Sequence, residues 1–411
     1  MPETGFETSN GATWTTLAQE ASYLLSVQTA SGGRMTYSVG TNSYQGRPLY
    51  VAVIGSPTPQ RTVLITGLQH GNEYAGREAA LKIIRDLALS EDTGISQYLA
   101  DHTVVVVPTV NPDGFTAATR NNAQNINLNR DHIKLQSSEI ELVQTLMLDW
   151  QPEIFIDLHE QWSEGGVTLR TAWQKNPNVD TELATYTKSL LDNTVATALS
   201  SNGYTYGYYT FAETGADYWE NVSHNMAGLR NAIGMLFESF ATSPASSRVN
   251  SHYVAVMSVI EKHRTDGVAI TNVATGARSR KILEGQEQSR PFDLLDGHIV
   301  DPPPLSYFLN STQKTIAAKH IAVFGIAVGT DGYAYMSQAA QPVIPYVFDD
   351  DAPHSVIGAL RLTSEVPPPQ EPSPLKQGAP LSFKVRHNGI TAIPLAVKLK
   401  QGGEVFTIWT V

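Results

Sequence analysis

The chain has 411 residues and no cysteine. The absence of cysteine excludes disulfide frameworks, thiol nucleophiles and thiolate metal sites. Any metal must therefore bind to His, Asp or Glu. Charged residues make up only 16% of the chain and hydrophobic residues 41%. This composition can fill a large core and rules out wholesale disorder.

The chain also lacks an excess of basic residues. Its 28 Lys and Arg against 39 Asp and Glu give a net charge of −11, which argues against nucleic acid as a partner. No apolar run approaches the ~20 residues of a membrane-spanning helix, so we expect no membrane span. The first five residues lack the basic and apolar regions of a signal peptide. The chain could be cytoplasmic, and a periplasmic or secreted location is favoured if a leader was removed.

Short β-type runs alternate with helical patterns through the first 270 residues. The strand-like runs are 49–54, 62–66, 104–107, 154–156 and 235–238. Helical spacing or capping signals mark 14–27, 73–89, 138–149, 182–199 and 226–231, with a capping box expected from Ser138 to Glu141. This alternation predicts an α/β fold, with a mixed or mostly parallel sheet covered by helices on both faces.

The composition changes beyond residue 280. Proline becomes frequent, helical periodicity is lost, and short alternating segments at 321–328, 381–385 and 405–411 are typical of strands. The proline-rich stretch 366–374 reads as a stiff connection. We therefore expect two domains, an α/β catalytic domain over 1–275 and a smaller all-β domain over 280–411.

Reactive residues follow four of the strand-like runs. His70 and Glu73 come after 62–66, Asn111 after 104–107, and His159 after 154–156, while Glu238 ends 235–238. In open α/β sheets, ligands bind outside the carboxyl ends of the strands. Two imidazoles and a carboxylate are a usual ligand set of hydrolytic zinc. The alternative is that both histidines are ordinary loop and strand-end residues.

Four motifs occur in the order seen in zinc carboxypeptidases of the M14 type. They are His70-Gly71-Asn72-Glu73, Asn111-Pro112-Asp113-Gly114, Asn127-Leu128-Asn129-Arg130 and Asp157-Leu158-His159. The chain resembles that family over roughly residues 35 to 240. The resemblance implies a central mixed sheet of about eight strands and one catalytic Zn²⁺ per chain.

The resemblance also implies a role for each matching residue. His70, Glu73 and His159 would be the metal ligands, Glu238 the catalytic carboxylate and Arg120 the residue that polarises the scissile carbonyl. Asn129 and Arg130 would bind the substrate's terminal carboxylate, and Tyr209 would be the mobile substrate-binding tyrosine. The competitors of Tyr209 are Tyr204, Tyr206, Tyr208 and Tyr218. The chemistry agrees, because an Arg fork matches a carboxylate, a second Arg stabilises an oxyanion, and a Glu can carry the proton.

The sequence departs from the family pattern at three places. One is the segment from Asp217 to Glu238, after the candidate mobile tyrosine, which is longer than usual. The other two lie in one loop. Asn127 stands where the family usually has Asp, so the partner of His70 brings no charge and the basicity of that histidine falls. Asp131 and His132 follow Arg130 where Asn and Phe are more usual. The residue at the base of the terminal side-chain pocket stays open. Ala216 there would favour an apolar or aromatic end, the preferred choice, whereas Asp217 would favour a basic one.

The expected activity is therefore zinc-dependent removal of C-terminal residues from peptides with a free carboxylate. A cell-wall peptide is one variant of that substrate. A related amidohydrolase resembling aspartoacylase and desuccinylase enzymes, acting on a small N-acyl amino acid, is the alternative. A third possibility is a non-catalytic module that binds peptide or glycan. The complete set of His70, Glu73, His159 and Glu238 weighs against a module without activity.

Overall fold

The computed structural model describes residues 1–162, 166–209 and 216–364, together with four strands between 386 and 410. Its main feature is a mixed sheet of eight strands in the order β1-β2-β4-β3-β5-β8-β6-β7. The strands are β1 Met35–Asn42, β2 Pro48–Gly55, β3 Arg61–Gly67, β4 His102–Val107, β5 Ile154–Gln161, β6 Leu169–Trp173, β7 Tyr206–Tyr208 and β8 Ile233–Phe240.

The centre of this sheet is parallel, and an antiparallel strand joins it on each side. Strands β4, β3, β5 and β8 pair in parallel, whereas β2 runs antiparallel to β4 and β6 runs antiparallel to β8. Every residue of β4, β5 and β8 is buried. Because successive side chains of a strand point to opposite faces, both faces of the central sheet are covered. The predicted fold class is thereby confirmed.

Helices cover the sheet, and more helices follow its last strand along the chain. They are α1 Gly5–Thr8, α2 Leu17–Ala30, α3 Tyr74–Ala88, α4 Thr93–Asp101, α5 Pro112–Ala117, α6 Ser138–Trp150, α7 Thr181–Leu190, α8 Ala196–Ser201, α9 Ser223–Leu229, α10 Ala245–Glu287, α11 Ser311–Ile316, α12 Ala318–Phe324 and α13 Ile344–Phe348. A π turn, Leu191–Val195, joins α7 to α8. Among the described residues, no helix combines the length and apolarity needed to cross a bilayer.

Helix α3 positions the site and follows directly from its sequence. Its apolar residues Leu81, Ile84 and Leu87 recur at helical spacing and are fully buried. Burying side chains of this size contributes about 1.5–3 kcal/mol each. Helix α6 begins at Ser138 as predicted, but the capping box expected from Ser138 to Glu141 is wrong, because Ser137 caps the helix by accepting a hydrogen bond from the Ile140 N–H.

The region after α10 combines small sheets with helices. The sheets contain β9 Phe292–Asp293, β10 Ile299–Val300, β11 Ser306–Phe308, β12 Tyr333–Tyr335 and β13 Leu360–Leu362. The strand predicted at 321–328 is wrong, because its first half belongs to α12. There Val323 and Phe324 are buried, and α12 packs against α6. The packing of α12 against α6 outweighed the strand preference of the alternating sequence.

The chain forms two compact units, Met1–Glu365 and Val366–Val411. The domain boundary expected between residues 275 and 280 would lie inside α10, whereas the two units divide after Glu365. In the second unit, β14 Arg386–His387 pairs with β15 Ile390–Thr391, and β16 Leu395–Gln401 pairs with β17 Glu404–Thr410. The last pair includes most of the strand predicted at 405–411. The predicted strand at 381–385 and the proline-rich stretch 366–374 lie outside the described residues.

Candidate active site

The candidate site lies where β3, β5 and β8 end at one edge of the sheet. His70 and Glu73 occupy the turn from β3 into α3, and His159 is in β5. His159 pairs in register with Glu238 of the parallel strand β8. Neighbouring strands are about 4.8 Å apart, so the backbones of His159 and Glu238 lie side by side. The three strand ends therefore bring the four predicted residues together.

A close backbone contact fixes the turn that carries His70. A Cβ atom on Gly71 would lie 2.0 Å from the carbonyl carbon of Gly114, so no larger residue fits there. The side-chain amide of Asn111 also donates a hydrogen bond to the backbone oxygen of Gln69 at 3.1 Å. Two of the motifs found in the sequence thus lock together, and the glycines are needed for steric reasons.

Three donor groups converge on one point. Nδ1 of His70 lies 2.8 Å from Oε1 of Glu73, and Nδ1 of His159 lies 2.8 Å from Oε2 of the same carboxylate. The two Nδ1 atoms are 3.1 Å apart. All three side chains are buried, and their ligand atoms lie within 4.8 Å of one another. The geometry is that of a group able to hold one metal ion.

The outer contacts of the two imidazoles determine which nitrogen faces that point. Nε2 of His70 lies 3.0 Å from Oδ1 of Asn127, and Nε2 of His159 lies 2.6 Å from Oδ2 of Asp157. Both oxygens are acceptors, and Asn127 Oδ1 also accepts the Asn129 N–H. Each Nε2 therefore donates its proton outward and leaves the Nδ1 lone pair facing inward. Two such lone pairs and a carboxylate fit a zinc ion.

The charges around the three groups favour a bound cation. Burial lowers the pKa of His70 and keeps that imidazole neutral despite Glu73. Burial also acts to lower the pKa of His159, but the charges and hydrogen bonds of Asp157 and Glu73 outweigh it and raise that pKa well above its usual value. The same carboxylates that attract a proton to His159 would stabilise a divalent cation in its place.

Glu238 is a buried carboxylate without full hydrogen bonding. Its exposure is 6%, and in the described part of the chain its Oε2 has no hydrogen-bond partner. Burial raises the pKa of Glu238 to about 8; His159 opposes the shift and the nearby charge of Glu73 adds to it. A carboxyl group with this pKa can both accept and release a proton near neutral pH.

A cavity of about 190 Å³ opens above these residues. Six of the predicted residues line it: His70, Arg120, Asn129, Arg130, Tyr209 and Glu238. The other two, Glu73 and His159, contact His70 in the group that could hold a metal ion. The structure thus brings all eight residues into one site, although their individual roles stay predictions.

The two arginines give the cavity a positive side. Nη1 of Arg120 lies 2.9 Å from Oε1 of Glu73, and the Arg120 side chain is about half exposed. The guanidinium of Arg130 stacks 5.4 Å from the ring centre of Trp219. Burial lowers the pKa of Arg130 to about 10, and the charge of Arg120 adds to the shift. Two cations of this kind favour an anionic substrate group.

Tyr209 is the tyrosine that lines the cavity. Its N–H donates to the Thr171 carbonyl at 2.8 Å, and burial raises the pKa of its hydroxyl. Among the competitors, Tyr206 and Tyr208 direct their hydroxyls to Asp192. These contacts favour Tyr209 over Tyr206 and Tyr208.

The two positions predicted for the base of the terminal side-chain pocket are described in part. Asp217 is buried, and its Oδ2 lies 3.2 Å from Nζ of Lys175. The side chain of Ala216 lies outside the described residues. The choice between these two positions stays a prediction, but Lys175 balances the charge of Asp217.

Sequence reasoning missed Glu160 and Trp162, which also line the cavity. The Glu160 N–H donates to Oε2 of Glu73 at 3.0 Å, and its carboxylate accepts the Ala75 N–H at 3.1 Å and pairs with Arg248. A charged residue one position after His159 in a buried strand was the available signal. Trp162 is 61% exposed, and nothing in its local sequence sets it apart.

A family model described as zinc carboxypeptidase, Peptidase_M14, matches residues 21–229, more than half of the 411 residues. Carboxypeptidase 2 of Trichophyton tonsurans is 36% identical over 98 residues, which cover 24% of this chain and 18% of that protein. Carboxypeptidase E of Caenorhabditis elegans is 35% identical over 127 residues, covering 26% of each. The chain therefore matches only about a fifth to a quarter of the length of these relatives.

Solved structures share the fold at low sequence identity. The metallo-carboxypeptidase from Burkholderia cenocepacia is 18% identical with a TM-score of 0.51, and the match covers 61% of this chain and 70% of that one. Thrombin activatable fibrinolysis inhibitor is 13% identical with a TM-score of 0.51, covering 62% and 78%. These structures show a shared fold, and the family match over more than half of the chain shows that it belongs to the M14 zinc carboxypeptidase family.

Proposed function

We propose that this chain is a zinc carboxypeptidase that removes single residues from the free C-terminus of peptides. The observation that carries the proposal is the convergence of His70, Glu73 and His159 beside Glu238, whose Oε2 has no hydrogen-bond partner in the described part of the chain. The names of the curated relatives support peptide substrates over small N-acyl amino acids. A cell-wall peptide with a free carboxylate remains within the same substrate class.

His70, Glu73 and His159 would hold one zinc ion through two Nδ1 atoms and a carboxylate. When bound, zinc acts as a Lewis acid and lowers the pKa of water. Glu238 would take the proton from the attacking water and pass it to the leaving amine, a role that its pKa of about 8 supports. Arg120 would donate hydrogen bonds to the developing oxyanion.

The same cavity would select substrates with a free chain end. Arg130 can present a planar fork of donors to the terminal carboxylate, and Asn129 lies beside it in the cavity. Tyr209 would position the substrate at the opening. An apolar terminal side chain is the preferred choice, because Lys175 balances the charge of Asp217.

A paired peptide library tests this proposal. Zinc-loaded protein would be incubated with peptides that have a free C-terminus and with the same sequences amidated, and the products would be identified by mass spectrometry. Stepwise loss of single residues from free ends only is the expected result. Trimming of neither set, with release of acyl groups from small N-acyl amino acids, would replace the proposal with the amidohydrolase alternative. The residues lost would identify the preferred end, and a strong preference for Lys or Arg would contradict the apolar choice.

A further inference from the structure

Asn129 and Arg130 both rest on one short segment, residues 219–223. The backbone N–H of Ser223 donates to Oδ1 of Asn129 at 2.8 Å and so orients the amide. The ring of Trp219 lies under the guanidinium of Arg130, with 5.4 Å between the guanidinium carbon and the ring centre. The position of this segment therefore affects both residues expected to bind the terminal carboxylate.

His354, far along the chain, holds this segment in place. Its Nδ1 lies 2.6 Å from Oε1 of Glu220, and Nδ2 of Asn221 donates to its Nε2 at 3.1 Å. Its ring also contacts Trp219 edge-on, with ring centres 6.1 Å apart. Three consecutive residues of the segment thus contact one imidazole, which comes from a region beyond the family match at 21–229.

The contact with Glu220 is the strongest of the three. Glu220 is fully buried, and its Oε2 has no hydrogen-bond partner within the described ranges. His354 is the one hydrogen-bond partner that the described residues offer to this carboxylate. A buried carboxylate that loses its partner is costly, and the chain relieves the cost by moving the group towards water. Loss of His354 would therefore displace the segment that carries Trp219.

A second anchor keeps the surrounding fold in place without His354. Nδ2 of Asn176 donates to the carbonyl of Tyr218 at 2.7 Å and to the hydroxyl of Tyr346 at 3.0 Å. Tyr346 is fully buried and also donates to the carbonyl of Asp293 at 2.9 Å. A change at His354 should consequently shift residues 219–221 and leave the rest of the unit folded.

We infer that His354 is a positioning residue for recognition of the substrate's terminal carboxylate, acting through Glu220 and Trp219 on Arg130. This inference rests on the proposed function. It gives the region after α10 a part in the site. His354 contacts Trp219, and Trp219 in turn lies under Arg130, which lines the cavity. Because the effect passes through Arg130, it should appear in substrate binding and leave the chemical step unchanged.

Two variants of His354 and one control test the inference. His354→Ala removes all three contacts. His354→Gln keeps an amide donor for Glu220 and an acceptor for Asn221. His320→Ala is the matched control, because His320 is also a mostly buried histidine of the C-terminal region but bonds to the Lys134 carbonyl instead. Thermal unfolding of each variant checks that the fold is retained.

The first readout is the division of the effect between KM and kcat for a free-ended peptide. We expect His354→Ala to raise KM by about tenfold, the effect of weakening one charge-assisted hydrogen bond. Its kcat should stay within about twofold, and His354→Gln should recover most of the loss. An unchanged KM in His354→Ala, or an equal rise in the His320 control, would overturn the inference.

The second readout is binding of a fluorescent tripeptide to metal-depleted protein. The tripeptide is used with a free and with an amidated C-terminus. His354→Ala should weaken binding of the free form by about tenfold and leave the amidated form unchanged. Equal weakening of both forms would contradict an effect through Arg130. If the wild-type protein bound both forms equally, carboxylate recognition itself would fail, and with it the proposed function.

Discussion

Replacing Glu238 with Gln should remove turnover and at the same time stabilise the metal-free protein at high pH. The carboxyl group is buried, and Oε2 has no hydrogen-bond partner among the residues described. Burial raises its pKa to about 8, so the ionised form is disfavoured in the fold. Gln fills nearly the same volume without a charge, but it cannot act as a base.

The sign of the pH effect follows from comparing the folded and unfolded chains. The unfolded carboxyl group ionises near 4.5 and the folded one near 8, so between these values only the folded chain holds the proton. The stability from this group is fully present below about 4.5 and is lost as the pH rises to about 8. The interval of about 3.5 pH units corresponds to a free energy on the order of 5 kcal/mol.

Urea unfolding of metal-depleted protein at about pH 5 and about pH 9 measures this difference. Wild type should lose several kcal/mol of unfolding free energy from the lower to the higher pH that Glu238→Gln does not lose. The exposed control Glu91→Gln should follow wild type. Turnover of the zinc-loaded variant should fall on the order of 10²–10⁴-fold. A pH-independent gap would show that Glu238 ionises normally, and retained turnover would remove its role as the base.

Three further changes test the metal group and the turn that supports it. His159→Ala should weaken zinc binding by more than about 100-fold, because it removes a direct ligand; full zinc content after dialysis would break the ligand assignment. Asn127→Asp should tighten zinc binding about tenfold by giving His70 a charged acceptor, and a chelator competition titration showing no change would contradict that reasoning. Gly71→Ala should cost about 1–3 kcal/mol of unfolding free energy, because its Cβ meets the backbone of Gly114; an unaltered urea unfolding curve would refute the steric argument.

The central strands and α3 could be predicted because each buries apolar residues in a continuous or helical pattern. All six residues of β4 are buried, and a strand covered on both faces reads as a continuous apolar run. In α3 the apolar residues Leu81, Ile84 and Leu87 recur at helical spacing, so the helical period is visible in the sequence. This period remains visible although the charged residues Arg77, Glu78 and Arg85 are buried as well. Local pattern and tertiary packing agree in these elements, which is why the predictions were confirmed.

The 43-residue helix α10 shows why other elements were missed. Its buried positions include His252, His263, Gly267 and Lys281, which are polar or small residues that dilute the hydrophobic period. Nδ1 of the buried His263 lies 2.7 Å from the hydroxyl oxygen of Tyr98. The partners that make such positions favourable come from distant parts of the chain, so the sequence alone gives no signal for them.

The residues of the site could be predicted from the sequence, but the distant residues that hold them in place could not. The residues predicted to bind the metal follow strand ends, and their motifs could be recognised. The contacts of His354 with Glu220 and Asn221 join residues more than 130 positions apart. Neither local spacing nor composition connects such positions, and only the folded chain reveals that the C-terminal region contacts the segment beneath Arg130.

The most direct test of the account is a zinc titration of the metal-depleted protein. Release of the C-terminal residue from a free-ended peptide would be followed as zinc is added. The account predicts that activity is absent without zinc, rises in proportion to added metal and stops rising at one ion per chain. Full activity in the metal-depleted protein, or no release of terminal residues at one equivalent of zinc, would contradict it.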